Sequence, residues 1–172
     1  SDVYKRQVLT GVLENDPYTG RTIKFRRGET TSKLVQIEHI ISLKNAWDSG
    51  AYTWTQQERV NFANDPDVLI AVDGPENNSK SDKSADKWLV PHNPQYRCTY
   101  AAKQVNIKTT YGLSVTTPEK LALKQTLQTA RNTAAKSATI VHSTERKHHA
   151  NIPSEPSNRR GIHLSLIHIS EP

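Results

Sequence analysis

Two strand-length apolar runs, at residues 34–43 and 68–72, constrain this chain more than any other feature. The first, Leu34-Val-Gln-Ile-Glu-His-Ile-Ile-Ser-Leu43, brackets a carboxylate and an imidazole, Glu38 and His39, with aliphatic residues and reads as a buried strand. Burying an acid beside a base is costly unless the two are paired or used. The second, Val68-Leu-Ile-Ala-Val72, is continuously apolar and runs into Asp73-Gly-Pro75, where proline suits the first position of a helix. Residues 77–83 then read as a short polar helix. The centre of the chain is therefore expected to run strand, long connection, strand, short helix.

Around that centre the signals are local. Residues 8–13 form a short strand candidate, Asp16-Pro17 and Gly20 mark a turn, and residues 21–26 alternate at strand period. A hairpin over 8–26 follows. Thr55-Gln-Gln-Glu58 is a capping box, opening a helix that carries Val60, Phe62 and Ala63 and ends near Asp65-Pro66. Cys98, Ala101 and Val105 at i, i+3 and i+7, with Gly112 beyond, predict a second helix. Thr117-Pro118-Glu119 opens a third, turning Leu121, Leu127 and Ala130 to the core and fading after about Ala135. Residues 136–172 lack periodicity and read as a disordered tail. The two ends, 1–7 and 164–172, resemble translated sequencing-adapter remnants, so the expected folded body is 8–135 with a truncated start.

Composition narrows the function classes. A length of 172 residues allows one domain with a modest core, and a hydrophobic fraction of 34% with a mean hydropathy of −0.71 means that either the core is small or part of the chain does not fold. Of the formal charge of +6, half lies from residue 131 onward, where six Lys/Arg stand against three Glu. The mildly basic body suits a transient anionic partner. A single cysteine, Cys98, excludes an internal disulfide and a cysteine-based zinc site. No apolar run is long enough to span a membrane. No signal peptide is visible at the start as given, and the compartment stays open between secreted and cytoplasmic. Trp47, Trp54, Trp88 and the tyrosines could stack bases, but in so aliphatic-poor a body they are expected to anchor the core and loops. Cys98 is expected as a packed thiol, and His92, beside Pro91, as a surface loop residue. Arg97 could contact phosphate or pair with an acid.

The chemistry follows from residue types. Cutting a phosphodiester needs an activated water, a Lewis acid and positive charge for the transition state. A neutral imidazole, with an unperturbed pKa of about 6.5, can take a proton from water near neutral pH. His39 suits that task. Glu38 and Asn77 offer hard oxygen donors, which favour Mg²⁺ or Mn²⁺ over zinc. Asn77 and Lys80 are three apart, so on a helix they share a face, and Lys80 can meet a phosphate beside the ion.

Strand, long loop, strand and short helix is the outline of a ββα metal finger. Residues 35–43, Ala46-Trp47, Phe62-Ala-Asn-Asp-Pro66 and Asn77-Asn-Ser-Lys80 together resemble the HNH, or His-Me finger, nucleases. They are most similar to the bacterial branch related to the nuclease domain of GmrSD-type restriction enzymes, as are Asp16-Pro-Tyr-Thr-Gly20 and Tyr96-Arg-Cys98. The resemblance covers about residues 8–130. It implies an α+β fold, with a ββα-metal core, an N-terminal hairpin and additional C-terminal helices. It also implies a metal-dependent endonuclease in which Glu38 and Asn77 bind the ion and His39 is the general base. The expected partner is DNA, with RNA as an alternative, and neither a small-molecule cofactor nor a membrane is implied; a monomer is assumed. In the family Cys98 bonds an upstream cysteine, which a truncated start would lack. One departure stands out. The family's central Asn, which orients the histidine through a backbone hydrogen bond, is Val68 here. Either Asp67 or Asn64 takes over, or His39 is loosely held and the domain binds nucleic acid with weak or lost catalysis.

Overall fold

The hairpin forms first along the chain, and its turn reaches furthest. In the computed structural model, which describes residues 10–26 and 33–149 with side chains through residue 138, β1 (Thr10–Leu13) pairs antiparallel with β2 (Ile23–Arg26). Asp16 organises the turn between them. Its Oδ2 accepts hydrogen bonds from the Thr19 amide (2.8 Å) and hydroxyl (2.7 Å). Its Oδ1 accepts from the amide of Asp73, 57 residues away, at 2.9 Å. Asp16 is fully buried, and two saturated oxygens are what make burying that carboxylate tolerable.

The second sheet is also two-stranded: β3 (Val35–His39) runs antiparallel to β4 (Leu69–Asp73), with Glu38 opposite Ile70 and His39 opposite Leu69. Between them lie α1 (Leu43–Asp48), a 3₁₀ turn at Ala51–Thr53, and α2 (Gln56–Asn64). α2 opens on the expected capping box, with Thr55 and Glu58 bonded reciprocally. The helix after β4, α3 (Gly74–Lys80), packs on both strands. It starts three residues earlier than the polar run suggested, because the Asp73 side chain caps the Glu76 amide at 2.9 Å. Ser81, at φ 52°, ends it. Gly74 permits the approach of β3: its amide donates to the Leu34 carbonyl at 2.8 Å, and a Cβ there would overlap the Lys33 carbonyl oxygen.

The opening run is not a buried strand throughout. A two-stranded sheet covered on one face must alternate. Ile37 is accordingly 65% exposed while Glu38 is buried, and Leu34 and Leu43 are exposed at the ends. The aliphatic burial comes just after the strand, at Ile40 and Ile41. These join Val68, Val72, Phe62, Val90 and an edge-on aromatic group, Tyr18, Trp88 and Tyr100, with centroids 4.8–5.9 Å apart. Trp54 packs against the same core, whereas Trp47 and Tyr52 remain exposed.

α4 (Arg97–Thr110) and α5 (Thr117–His149) complete the described chain. α4 buries Tyr100, Ala101, Gln104, Ile107 and Lys108, one helical face that includes two polar residues; Cys98 and Val105 are only half-buried. In α5, Leu123 is buried and Leu121 is 54% exposed, a correction of the expected face. The reason is an ion pair between Lys108 and Glu119 (2.7 Å), both 3% exposed, which fixes the rotation of α5's first turn. The compact unit ends at Ala134; residues from Ala135 form a second unit, described as helix to His149. The helix thus runs past its expected end near Ala135. Residues 134–149 contain neither Gly nor Pro to stop it, and Ala and Lys favour its propagation. The expectations for 1–7 and 150–172 lie outside the described residues. The class is mixed α+β, with two small antiparallel sheets and several helices.

Candidate active site

Glu38 and His39 are adjacent in β3 and so point to opposite faces of the sheet. Glu38 turns inward under α3, where its side chain, 4% exposed, is ion-paired with Lys80. Lys80 is 1% exposed, and its ammonium also donates to the His39 carbonyl at 3.2 Å. One turn earlier on α3, Asn77 Nδ2 donates to Gln36 Oε1 at 2.8 Å. Strand residues two apart thus meet helix residues three apart, one pair per turn. Behind the strand, Gln104 Nε2 donates to the Ile40 carbonyl at 3.1 Å, and the Tyr18 hydroxyl faces Glu38. Burial pushes the Glu38 carboxyl above its ordinary range, opposed by the Lys80 ammonium, the Tyr18 hydroxyl and His39. Burial likewise raises the Tyr18 and Tyr100 phenols, so both stay neutral.

His39, on the other face, is held by main chain. Its Nε2 lies 2.9 Å from the carbonyl oxygen of Ala63, in the last turn of α2, where carbonyls lack intrahelical partners. A carbonyl only accepts, so Nε2 carries the proton and the lone pair of the neutral ring is on Nδ1. Neither expected substitute acts here. Asn64 donates to the Val60 carbonyl at 2.8 Å, and Asp67 uses its amide on Asp65 Oδ1 at 2.9 Å. Val68 keeps its side chain fully buried and accepts from the Ile40 amide at 2.9 Å. The turn after α2 is clasped by Tyr111, whose hydroxyl donates to Asp65 Oδ2 at 2.5 Å. That bond holds the Asp65 carboxyl low; burial first, then Asp65, pushes the Tyr111 phenol up to about 12.

The structure therefore brings Glu38, Lys80, Asn77 and the His39 backbone together, with the imidazole on the opposite face. Arg97 stands apart. Its guanidinium clasps a loop, Nε to the Val90 carbonyl and Nη2 to that of Pro91, each at 3.1 Å. Val90 is buried at φ 42°, a conformation a β-branched residue holds only when its surroundings impose it. His92 is exposed, as expected, and pairs with Glu76 at 2.9 Å. Among the described residues no group of three or more His, Cys, Asp or Glu side chains is placed to hold a metal ion. Sequence reasoning missed Asp16, Tyr18, Gln36, Ala63 and Gln104 as positioning residues. Asp16 carried a signal, since an Asp-Pro turn that also has a free carboxylate oxygen can reach beyond itself. The Ala63 carbonyl carried none.

The family model for GmrSD restriction endonucleases, C-terminal domain, matches residues 1–126. The chain belongs to that family. A relative from Arthroderma benhamiae, described as an uncharacterized secreted protein, is 41% identical over 115 residues, which is 66% of this chain and 53% of the relative. The chain thus spans about half the length of the curated relative it matches. No solved structure gives a significant match. The family takes its name from restriction endonucleases. Among the described residues no helix is long and apolar enough to cross a membrane.

Proposed function

We propose that this GmrSD C-terminal domain is a divalent-metal-dependent endonuclease of the HNH type, built on a ββα finger formed by β3, β4 and α3. The observation that carries the reading is the bond from His39 to the Ala63 carbonyl, which fixes the tautomer that leaves Nδ1 free as a base. His39 accepts the proton of the attacking water, and attack in line at phosphorus expels the 3′ oxygen. A base needs orientation as much as basicity, and a main-chain carbonyl gives it without a side chain.

The donors fit Mg²⁺ or Mn²⁺ in kind. Gln36 engages the nitrogen of the Asn77 amide, leaving its carbonyl oxygen, the metal-binding end, uncommitted. Glu38 has a second buried oxygen, Oε2, beside the one paired with Lys80. Glu38 and Asn77 would hold the ion, and His39, the last residue of β3, would have to reach the same phosphate around the strand end, because its side chain leaves the sheet on the opposite face. Bound there, it would supply Lewis-acid stabilisation of the leaving oxygen. Lys80, buried and already paired, serves as a positioning residue that fixes Glu38 and the strand end carrying His39.

The rival reading, a nucleic-acid-binding domain of the same fold with weak or lost catalysis, has its motive in a loosely held His39. The Ala63 carbonyl removes that motive. Incubating the protein with supercoiled plasmid plus Mg²⁺, Mn²⁺ or EDTA tests the proposal. Metal-dependent nicking that His39→Ala abolishes, with DNA binding retained, is the expected result. Binding without nicking in the unaltered chain would overturn it.

A further inference from the structure

We propose that the apolar pocket next to His39 is a nucleobase subsite, which takes an unpaired base of single-stranded DNA and stacks it on Trp47; this rests on the nuclease reading above. The pocket is about 340 Å³ and is lined by Leu43, Trp47, Trp54, Arg59, Val60 and Ala63 among others. That volume lies within the range of small-ligand sites. Ala63 joins it to the site, because the residue that lines the pocket also holds the His39 imidazole. A nucleotide whose phosphate meets His39 therefore has an apolar recess beside it.

The walls are unusual for a free surface. Trp47 is 48% exposed, Leu43 51% and Val60 45%, with Tyr52 next to them at 60%. Single exposed apolar residues need no explanation, but a contiguous group marks a binding surface. Trp47 is also fixed in place. Tyr52 meets its ring edge-on at 6.4 Å, and the Arg59 guanidinium lies 5.6 Å from its centroid. Arg59 is tied down in turn by a hydrogen bond from Nη1 to the Trp54 carbonyl. Arg59 lies over one face of the half-exposed indole, so a base would stack on the other, with the cation near enough to attract the backbone, a combination that single-stranded nucleic-acid sites use.

The same features select the occupant. Arg59 complements an anionic chain, and apolar walls recognise a ring by its face. Recognition by stacking tolerates any base. A paired base inside a duplex has both faces covered by its neighbours, so only an unpaired or extruded base can enter.

The test uses the full chain in EDTA, with anisotropy of labelled oligothymidylate, an abasic strand of the same length, and a duplex. Recovery of strands at full length confirms that none is cut. Oligothymidylate should bind on the order of tenfold more tightly than the abasic strand. Trp47→Ala should erase that difference while leaving abasic binding unchanged, Trp47→Phe should keep most of it, and duplex binding should ignore both. Equal affinity for base-bearing and abasic strands overturns the subsite, as does a Trp47→Ala effect that is equal on every strand. Melting curves of the variants separate misfolding from loss of the subsite, and Trp47→Phe keeps an aromatic face if Trp47→Ala unfolds. Plasmid nicking without base dependence refutes the subsite alone. Base-dependent binding without nicking refutes the nuclease reading alone.

Discussion

Replacing Lys80 by methionine is the sharpest single perturbation of the site. Lys80 and Glu38 are 1% and 4% exposed, so solvent does little to screen either charge. Methionine keeps most of the volume and removes the ammonium, leaving a carboxylate buried against Tyr18 with no cation. Removing one partner of a buried pair costs about 3–5 kcal/mol. At roughly 3–4 °C per kcal/mol for a body of this size, the melting midpoint should fall by about 10–20 °C. The sign of the pH dependence follows. Burial raises the Glu38 carboxyl above its ordinary 4.5, and Lys80 is the main group pulling it back. Without Lys80 it rises further. Between the unfolded value and the raised one, the native state holds a proton that the unfolded state does not, so stability grows as pH falls. The penalty should be largest near about pH 8 and shrink toward about pH 5, as Glu38 becomes a neutral acid. Urea unfolding in EDTA at both pH values measures it. A penalty below about 1 kcal/mol, or one equal at both pH values, refutes the argument that an unpaired buried carboxylate is the cause. Glu38→Gln added to Lys80→Met should recover part of the loss.

Val68→Asn, which installs the residue expected at this position from the resemblance to HNH nucleases, should lower stability by about 1–3 kcal/mol and leave nicking no higher, because the amide enters a buried site and His39 is already held; increased nicking would contradict this. Gly74→Ala should destabilise strongly, through collision with the Lys33 carbonyl, and lower nicking together with the melting midpoint, as paired thermal and plasmid assays will read. Lys108→Met should cost about 3–5 kcal/mol without changing nicking per folded molecule, since its partner Glu119 ties α4 to α5 away from β3. Thr55→Ala should cost about 1 kcal/mol in urea unfolding, from loss of the capping box on α2.

Much of the scaffold was legible in the sequence because its signals are local. The Thr55 capping box, the Asp-Pro turn of the hairpin and the proline early in α3 each specify backbone within four residues. The juxtaposition of Glu38 with Lys80 and of Gln36 with Asn77 follows from strand and helix periods once β3 and α3 are known to pack. Burial was harder to read. Aliphatic residues bracketing Glu38 and His39 suggested a buried strand, but what packs on each face of a sheet is set by the tertiary fold, and here α3 packs on β3 and β4 while Ile37 stays exposed. The buried polar residues Gln104, Lys108 and Glu119 were invisible for a related reason. Each lies on a helix face where periodicity expects apolar residues, and each has a partner outside its own helix: the Ile40 carbonyl for Gln104, and one another for Lys108 and Glu119.

The grip on His39 has an evolutionary consequence. An acceptor that belongs to the main chain is inherited with the course of the backbone, not with a codon. Position 63 can change identity without loosening the imidazole, provided that α2 ends where it does, and position 68 is released to fill the core. Scanning side chains one at a time would pass over this contact. Replacing the peptide bond after Ala63 with an ester, which weakens that carbonyl as an acceptor, would expose it.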